Sequence, residues 1–336
     1  MQSSVDIYNK QADVQAERSS AAAVGAWLQS LDVTEITKKQ YRSSVKHFLA
    51  FMARHDCRSK ADIAAFKAEL LQSGKAASTV NLALQAAKSF FFFICESSQN
   101  EAAAAINKAL HAVKACKRSN EHKRGALSAE QARELLSSVS CNKKQLKEKE
   151  LRDAAIIALL LRGGLRTVEI SRANVGDLKA IAGQKVLFVQ GKGRIEKDNY
   201  IILTDAAAAA LESYINKFRA DATDAEPLFV STSNFNRGSR LDAETVQKVA
   251  KAALRGIGID NPAYTAHSLR HTAITLSIVG GADLLQAQAM ARHASANTTL
   301  IYTHNILRVK KAAEFNLDRV LSGYSGRRVS RRFARA

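Results

Sequence analysis

Along most of the chain, apolar residues recur every three or four positions between short polar interruptions, the period of amphipathic helices. The helical pattern begins at Ser19, and "AAAVGAWLQSL" puts Val24, Trp27, Leu28 and Leu31 on one face. A threonine, Thr34, opens "TEITKKQYRSSVKHFLAFMARH", whose inner stripe is Ile36, Tyr41, Val45, Phe48, Leu49 and Met52. The outer face of that helix carries Lys38, Lys39, Arg42 and Lys46. "SKADIAAFKAELLQSG" has a serine start and a glycine stop. "KAASTVNLALQAAKSFFFFICESS" and "NEAAAAINKALHAVKAC" follow as a fourth and a fifth helix. Short connections between such helices predict a helical bundle of about 100 residues, spanning 19–116 after a loose polar tail at 1–18.

The pattern breaks at "KRSNEHKRG", residues 117–125, which is charged and has no apolar stripe, and so reads as a linker. A second domain is expected over 126–321. "ALSAEQARELLSSV" opens it, with Ser128 as N-cap. "KEKELRDAAIIALLLRGGLRTVEISRA" holds a buried helix, a Gly-Gly break and a short second helix. "QKVLFVQGKGRIEKDNYIIL" alternates on both sides of a glycine-rich charged turn and is the one clear hairpin; "PLFVS" reads as a further short strand. Helical patterns then return at 242–256, 267–280, 283–291, about 297–304 and 307–321. Residues 322–336 carry five arginines and no acid, a basic tail. The expected fold class is mainly α with a small β-hairpin or sheet: an N-terminal helical bundle and a mixed α/β second domain. Two prolines in 336 residues and abundant alanine agree with it.

Charge adds a partner to this picture. Fifty Lys and Arg against 31 Asp and Glu give a net charge of +19, the field of a protein that meets a polyanion, most often nucleic acid. The excess is shared, +7 over residues 1–124 and +12 over the rest, which fits a partner touched by both halves better than a single basic tail. A generally basic surface would give the same totals. Cys57, Cys95, Cys116 and Cys141 are far apart and without C-x-x-C spacing, so neither a zinc site nor a disulfide framework is expected and a reducing cytoplasm fits. The N-terminus has no apolar core of a signal peptide, and the apolar runs "SFFFFIC" and "AAIIALLL" are shorter than the ~18–20 residues that span a bilayer; no membrane is expected as partner.

Several polar residues stand in unusual places. "GGLRTVEIS" sets Arg166 and Glu169 three apart on one face of a short helix, a spacing that also makes ordinary surface ion pairs. Lys192 sits at the hairpin tip between glycines, a place also suited to a solvated turn lysine. "HSLRH" puts His267, Arg270 and His271 at the start of a helix whose following apolar positions predict burial, where such groups need partners. His267 and Arg270 read as functional, His271 as structural support. His293 and Tyr302 lie nine residues apart around a small polar stretch, 294–299, that reads as a flexible carrier of the tyrosine. H-E-x-x-H, G-x-x-x-x-G-K-[ST] and G-x-S-x-G patterns are absent, so zinc, ATP and serine-nucleophile chemistry are not indicated, and no cofactor or metal is expected. Two arginines, a lysine, histidines and a tyrosine in a basic protein suit a phosphodiester. Arginines clamp non-bridging oxygens, lysine protonates a leaving alkoxide, histidine assists proton removal, and nearby cations favour the phenolate.

In their order these motifs resemble the tyrosine recombinase (phage integrase) family, in the style of its Xer-type and simple integrase members. The family pattern R…K…H-x-x-R…H/W…Y is matched by Arg166, Lys192, His267, Arg270, His293 and Tyr302, and Glu169 matches the acidic residue three after the first arginine. The resemblance covers about residues 20–320. It implies a core-binding helical domain followed by a catalytic domain, together forming a C-shaped clamp on a short duplex site. Tyr302 would attack a backbone phosphate, forming a 3′-phosphotyrosyl bond and releasing a 5′-hydroxyl, with no metal or nucleotide. Implied partners are double-stranded DNA with a specific site, and the protein itself, as a dimer on each site and a tetramer in the synapse. Accessory DNA-bending proteins stay open. Residues 307–321 are expected to dock on a neighbouring protomer. The short leading segment is expected to be too small for an arm-binding domain, and the expected location is cytoplasmic, with the nucleoid. Lys38, Lys39, Arg42, Lys46, Arg194 and Arg292 are candidate DNA contacts. Arg292 stands where the family commonly has glycine, which implies an altered backbone or an added phosphate contact. A fold-mate without catalysis and a type IB topoisomerase-like enzyme are the alternatives; Tyr302 argues against the first, the helical first domain and "HSLRH" against the second.

Overall fold

A computed structural model describes residues 20–98, 100–117, 125–139, 147–191, 196–293, 295, 298–300, 317 and 320–322. Lys192, Arg194, Tyr302, Cys141, residues 1–19 and 323–336, and most of 301–321 lie outside the described residues. The chain divides into two compact units, Met1–Asn120 and Glu121–Ala336.

The first unit is helical: α1 (residues 20–30), α2 (Glu35–Met52), α3 (Lys60–Gln72), α4 (Ala77–Ser97) and α5 (Glu101–Ala112). Sequence sets the helix starts. The Thr34 hydroxyl accepts the Thr37 N–H, and Ser59 and Asp62 form a reciprocal capping box ahead of α3. Two aromatic residues join the helices. Trp27, fully buried, stacks on Tyr41 at 5.8 Å, meets Phe90 edge-on at 5.4 Å, and donates its Nε1–H to the Ser89 hydroxyl at 3.2 Å, tying α1 to α2 and α4. Phe48 meets Phe66 at 5.0 Å and Phe91 at 5.7 Å, tying α2 to α3 and α4. Ile36, expected in the α2 stripe, is instead 73% exposed, because nine residues are two and a half turns and place it opposite Val45. Phe51 is buried in its stead. The run "SFFFFIC" belongs to a 21-residue helix, so α4 is long and apolar enough to cross a membrane by length and composition alone. Its Val80, Leu84, Phe90 and Phe91 are spent on the bundle core.

The second unit is built on α7 (Glu148–Arg162), of which ten consecutive-to-near residues from Leu151 to Leu161 are buried. Against it lie α6 (Ala129–Ser138), capped by Ser128, and α9 (Asp205–Phe218), which buries Ala207, Ala208, Leu211 and Tyr214. The periodicity reading passes over α9 because its run of five alanines dilutes the stripe. A Gly163-Gly164 turn leads from α7 to α8 (Thr167–Arg172). A three-stranded antiparallel sheet follows in the order β1 (Leu178–Ile181), β2 (Gln184–Val189), β3 (Asn199–Ile202). The expected hairpin is β2–β3, with Leu187 opposite Ile201. β1 is additional. It is mostly exposed and shows no clean alternation, and it turns into β2 through Ala182 and Gly183, both at positive φ, the geometry of a two-residue hairpin turn. "PLFVS" makes isolated bridges, Asn174 to Pro227 and Val230 to Arg240, rather than a strand. After the sheet come α10 (Ala243–Gly256), α11 (Ala266–Val279) and α12 (Leu284–Ala291). The fold is thus mainly helical with one small sheet, as the pattern predicts.

Truncating the aromatic hub of the first unit, Phe48→Ala, is expected to lower stability by about 3–5 kcal/mol. A shift in the urea midpoint equivalent to less than about 1 kcal/mol would show that Phe48 does not carry that core.

Candidate active site

The site begins at the glycine break. Gly164 takes φ +58, which a glycine adopts freely, and the turn leaves its carbonyl facing two arginines from elsewhere. Arg166 is the N-cap of α8. Its backbone N–H donates to Glu169 Oε2 at 2.8 Å and its Nη1 to Oε1 at 2.7 Å, so the i,i+3 pair is also the helix cap. This is no surface pair: Glu169 is 0% exposed and the Arg166 side chain 28%.

Glu169 collects two further arginines. Arg292 Nη2 donates to Oε2 at 2.8 Å, and Arg270 Nη1 stands 3.8 Å from the same oxygen. Burial pushes the Glu169 carboxyl up. The charge of Arg292, the Arg166 N–H and the charge of Arg270 outweigh it, so the group lies below the ordinary carboxylate range. Three guanidinium groups on one carboxylate leave a net local charge of +2. Arg270 comes from buried α11, is 1% exposed, and donates to the Gly164 and Ala291 carbonyls. It therefore bridges the glycine turn to the end of α12. His267, one turn earlier at the start of α11, is exposed. His271 is buried, with Nδ1 3.4 Å from the Thr275 hydroxyl.

Arg292, a candidate DNA contact, is turned inward. Its side chain is 5% exposed, and the guanidinium donates to Glu169, to the Met290 carbonyl at 2.7 Å and to the Gly164 carbonyl at 3.1 Å. Arg292 ends α12 at φ 51, ψ 48, a left-handed conformation that costs a non-glycine residue about 1–2 kcal/mol. That requirement is why a glycine suits this position.

His293 follows directly. Gln288 brackets it, its carbonyl accepting the His293 N–H at 3.2 Å and its Nε2 donating to the His293 carbonyl at 3.1 Å. The imidazole Nδ1 lies 2.9 Å from the hydroxyl of Thr299, which is 0% exposed. With that hydroxyl as donor, Nε2 keeps its proton and can donate it. Burial first, then the charges of Arg270, Arg166, Arg292 and His267, push His293 down to about 4. The stretch 294–299 is therefore not loose throughout, since Thr299 is anchored on His293 and the Thr298 N–H donates to the Ser295 carbonyl at 3.1 Å. Thr299 and the Gly164 carbonyl are parts of the site that motif order does not point to.

Beside this cluster opens a cleft of about 1060 Å³, lined by Arg166 and His293, by Gly191, and by apolar side chains including Ile202 and Leu285. Arg172 on α8 donates to the Gly191 carbonyl at 3.3 Å, holding the residue before Lys192. In the first unit, Lys39, Arg42 and Lys46 are exposed on α2, while Lys38 is paired with Glu35 at 3.1 Å.

Comparison with known proteins covers parts of both units. Residues 126–307 match the phage integrase family and 26–97 the phage integrase N-terminal SAM-like domain. Tyrosine recombinase XerC of Corynebacterium efficiens is 29% identical over 274 residues, 81% of each chain. Tyrosine recombinase XerD of Oceanobacillus iheyensis is 28% identical over 282 residues, 81% of this chain and 88% of its own. Among solved structures, XerH site-specific recombinase bound to a palindromic difH substrate superposes with a TM-score of 0.68 at 21% identity, over 84% of this chain and 80% of that one. The Tn1549 transposon integrase in complex with transposon right end DNA gives 0.67 at 16% identity, over 89% and 98%. These two share the fold. Fold and relatives together define a tyrosine site-specific recombinase. The chain belongs to the phage integrase family.

Glu169→Gln leaves three guanidinium groups without their carboxylate, and a stability loss of about 3–5 kcal/mol is expected. A denaturation curve matching wild type would contradict this account of the cluster. His293 gives a pH signature. The folded protein keeps it neutral down to about 4 while the unfolded chain binds a proton near 6.5. Its contribution is therefore intact above pH 6.5 and is lost as pH falls from there towards 4. Wild type should lose more stability than His293→Gln across that window; parallel curves would refute the assignment.

Proposed function

We propose that the protein cuts and rejoins double-stranded DNA at a specific short site through a 3′-phosphotyrosyl intermediate. The observation that carries this reading is the Glu169 cluster, which gathers Arg166, Arg270 and His293 beside one cleft with a positive excess. Tyr302 attacks the scissile phosphate. Its phenolic proton passes to a base, for which His267 at the open start of α11 is suited, and the phosphorus–oxygen bond to the 5′ oxygen breaks. Lys192 supplies the proton that the leaving 5′-alkoxide takes. Arg166, the least buried of the three arginines, meets a non-bridging oxygen, and Arg270 acts from beneath through its charge. His293, neutral, donates from Nε2 to the phosphate. A 5′-hydroxyl from a partner duplex reverses the step. The ester keeps the bond energy, so no metal or nucleotide enters this scheme.

In this reading residues 19–116 are the core-binding domain and 126–321 the catalytic domain, joined by 117–125 and flanked by tails at 1–18 and 322–336. Lys39, Arg42 and Lys46 contact the phosphate backbone, supported by their exposure on one helix and by the charge of both halves. Lys38 and Arg194 are assigned the same part. A dimer occupies each site, and two sites meet in a tetramer. The cytoplasm, with its nucleoid, is the place of action, and a mobile element or a chromosome dimer is the substrate.

Fragments captured covalently from sheared DNA of the source organism, then sequenced, give the site. A nicked duplex of that site should trap wild type with EDTA present and should not trap Tyr302→Phe. Trapping that persists in Tyr302→Phe would remove the nucleophile. A need for divalent metal would remove the scheme, and trapping without exchange between two sites would favour a topoisomerase.

A further inference from the structure

We propose that Arg292 is a positioning residue for DNA cleavage: its guanidinium clamps the end of α12, and so His293, to the turn that carries Arg166. The inference rests on the recombinase reading above and deepens it. A glycine would meet the left-handed backbone at this position without strain. The chain instead places there the side chain with the most hydrogen-bond donors, and directs it inward. Its contacts join three segments. The Met290 carbonyl belongs to the last turn of α12, the Gly164 carbonyl to the turn after α7, and Glu169 to α8. Glu169 in turn holds the backbone and the guanidinium of Arg166. Arg292 is thus one residue from His293 along the chain and one carboxylate from Arg166 in space. Arg270 makes a parallel bridge, from Gly164 to Ala291. The two bridges together fix both the separation and the rotation of the α12 end, which a single bridge leaves free to pivot.

The clamp also sets the charge around His293. Among the described residues, the groups that act on that imidazole include Arg166 ahead of α8, His267 and Arg270 on α11, Arg292 at the end of α12, and the Thr299 hydroxyl. Removing Arg292 takes away one of the cations that disfavour imidazolium, so His293 should protonate at higher pH. A purely structural filler would not have this effect.

The test is single-turnover cleavage of the captured nicked duplex between pH 4.5 and 8.5, with duplex affinity and thermal stability measured in parallel. Wild-type trapping and its loss in Tyr302→Phe report on the recombinase reading, and the Arg292 variants are compared only with wild type. Arg292→Gly is expected to bind the duplex about as tightly, to cleave roughly ten- to a hundredfold more slowly, and to move its acid limb towards neutral pH. Arg292→Lys keeps the charge without the fork, and should keep the wild-type limb while cleaving more slowly. Wild-type rate and limb in Arg292→Gly would overturn the proposal. So would a rate loss matched by lost duplex affinity at an unmoved limb, which would make Arg292 a DNA contact. If Arg292→Gly does not fold, Arg292→Lys decides: slower cleavage at unchanged affinity supports the clamp, and a wild-type rate overturns it.

Discussion

One buried carboxylate organises the second unit. Glu169 has no exposed surface, and a bare carboxylate in that position would be far too costly to keep ionised. Its oxygens are used by the Arg166 backbone, by Arg166 and Arg292 side chains, and by the nearby charge of Arg270. The dependence runs both ways. Each arginine is held in a fixed pose because Glu169 is there, and Glu169 stays ionised because they are. Those arginines arrive on α8, α11 and α12, so the carboxylate is where three separate helices are forced into register.

Backbone geometry makes this convergence feasible. The Gly163-Gly164 turn frees a carbonyl that accepts from both Arg270 and Arg292. A Cβ at Gly163 would lie 2.6 Å from an Ile201 methyl on β3, so a larger residue there would have to push that side chain aside. The sheet is thereby packed directly against the turn, and the loop leaving β2 is drawn in by Arg172 on the same α8. Apolar packing sets where the helices lie, and the polar contacts then select one rotation and depth for each.

How much of this was legible in the sequence follows from the range of each interaction. Helix starts at Thr34, Ser59 and Ser128 are local chemistry, and they stand where their side chains predict. Motif order brought out Arg166, Glu169, Arg270 and His293, which the fold gathers around one centre, because each motif keeps its own local signature. Contacts between distant segments were not legible. Nothing near Arg292 says that its guanidinium turns back to a carboxylate 123 positions earlier, and nothing near Thr299 says that it anchors an imidazole. Ile36 was misplaced for a simpler reason: the apolar pattern was followed past the point where the helix had turned its face away. β1 was missed because an exposed edge strand needs no alternation, and α9 because alanine packs well while marking no face.

The charge of the cluster bears on how the proposed reaction is accelerated. A phosphodiester carries one negative charge, and the pentacoordinate state reached by attack of a phenolate carries two. Three arginines and one carboxylate supply +2 without help from His293, which burial and those same cations keep neutral. As the bond forms, the phenolate's charge is drawn onto the phosphoryl oxygens, and cations fixed beside them gain interaction in that step, the condition under which binding lowers a barrier rather than deepening a ground state. Burial sharpens the effect, because charges fixed at 0–28% exposure are screened less than surface ones and need no reorganisation as the phosphorus changes geometry. On this argument the depth of Glu169 matters as much as its sign: a partly exposed carboxylate would hold the arginines more loosely and let water screen the field they present to the cleft.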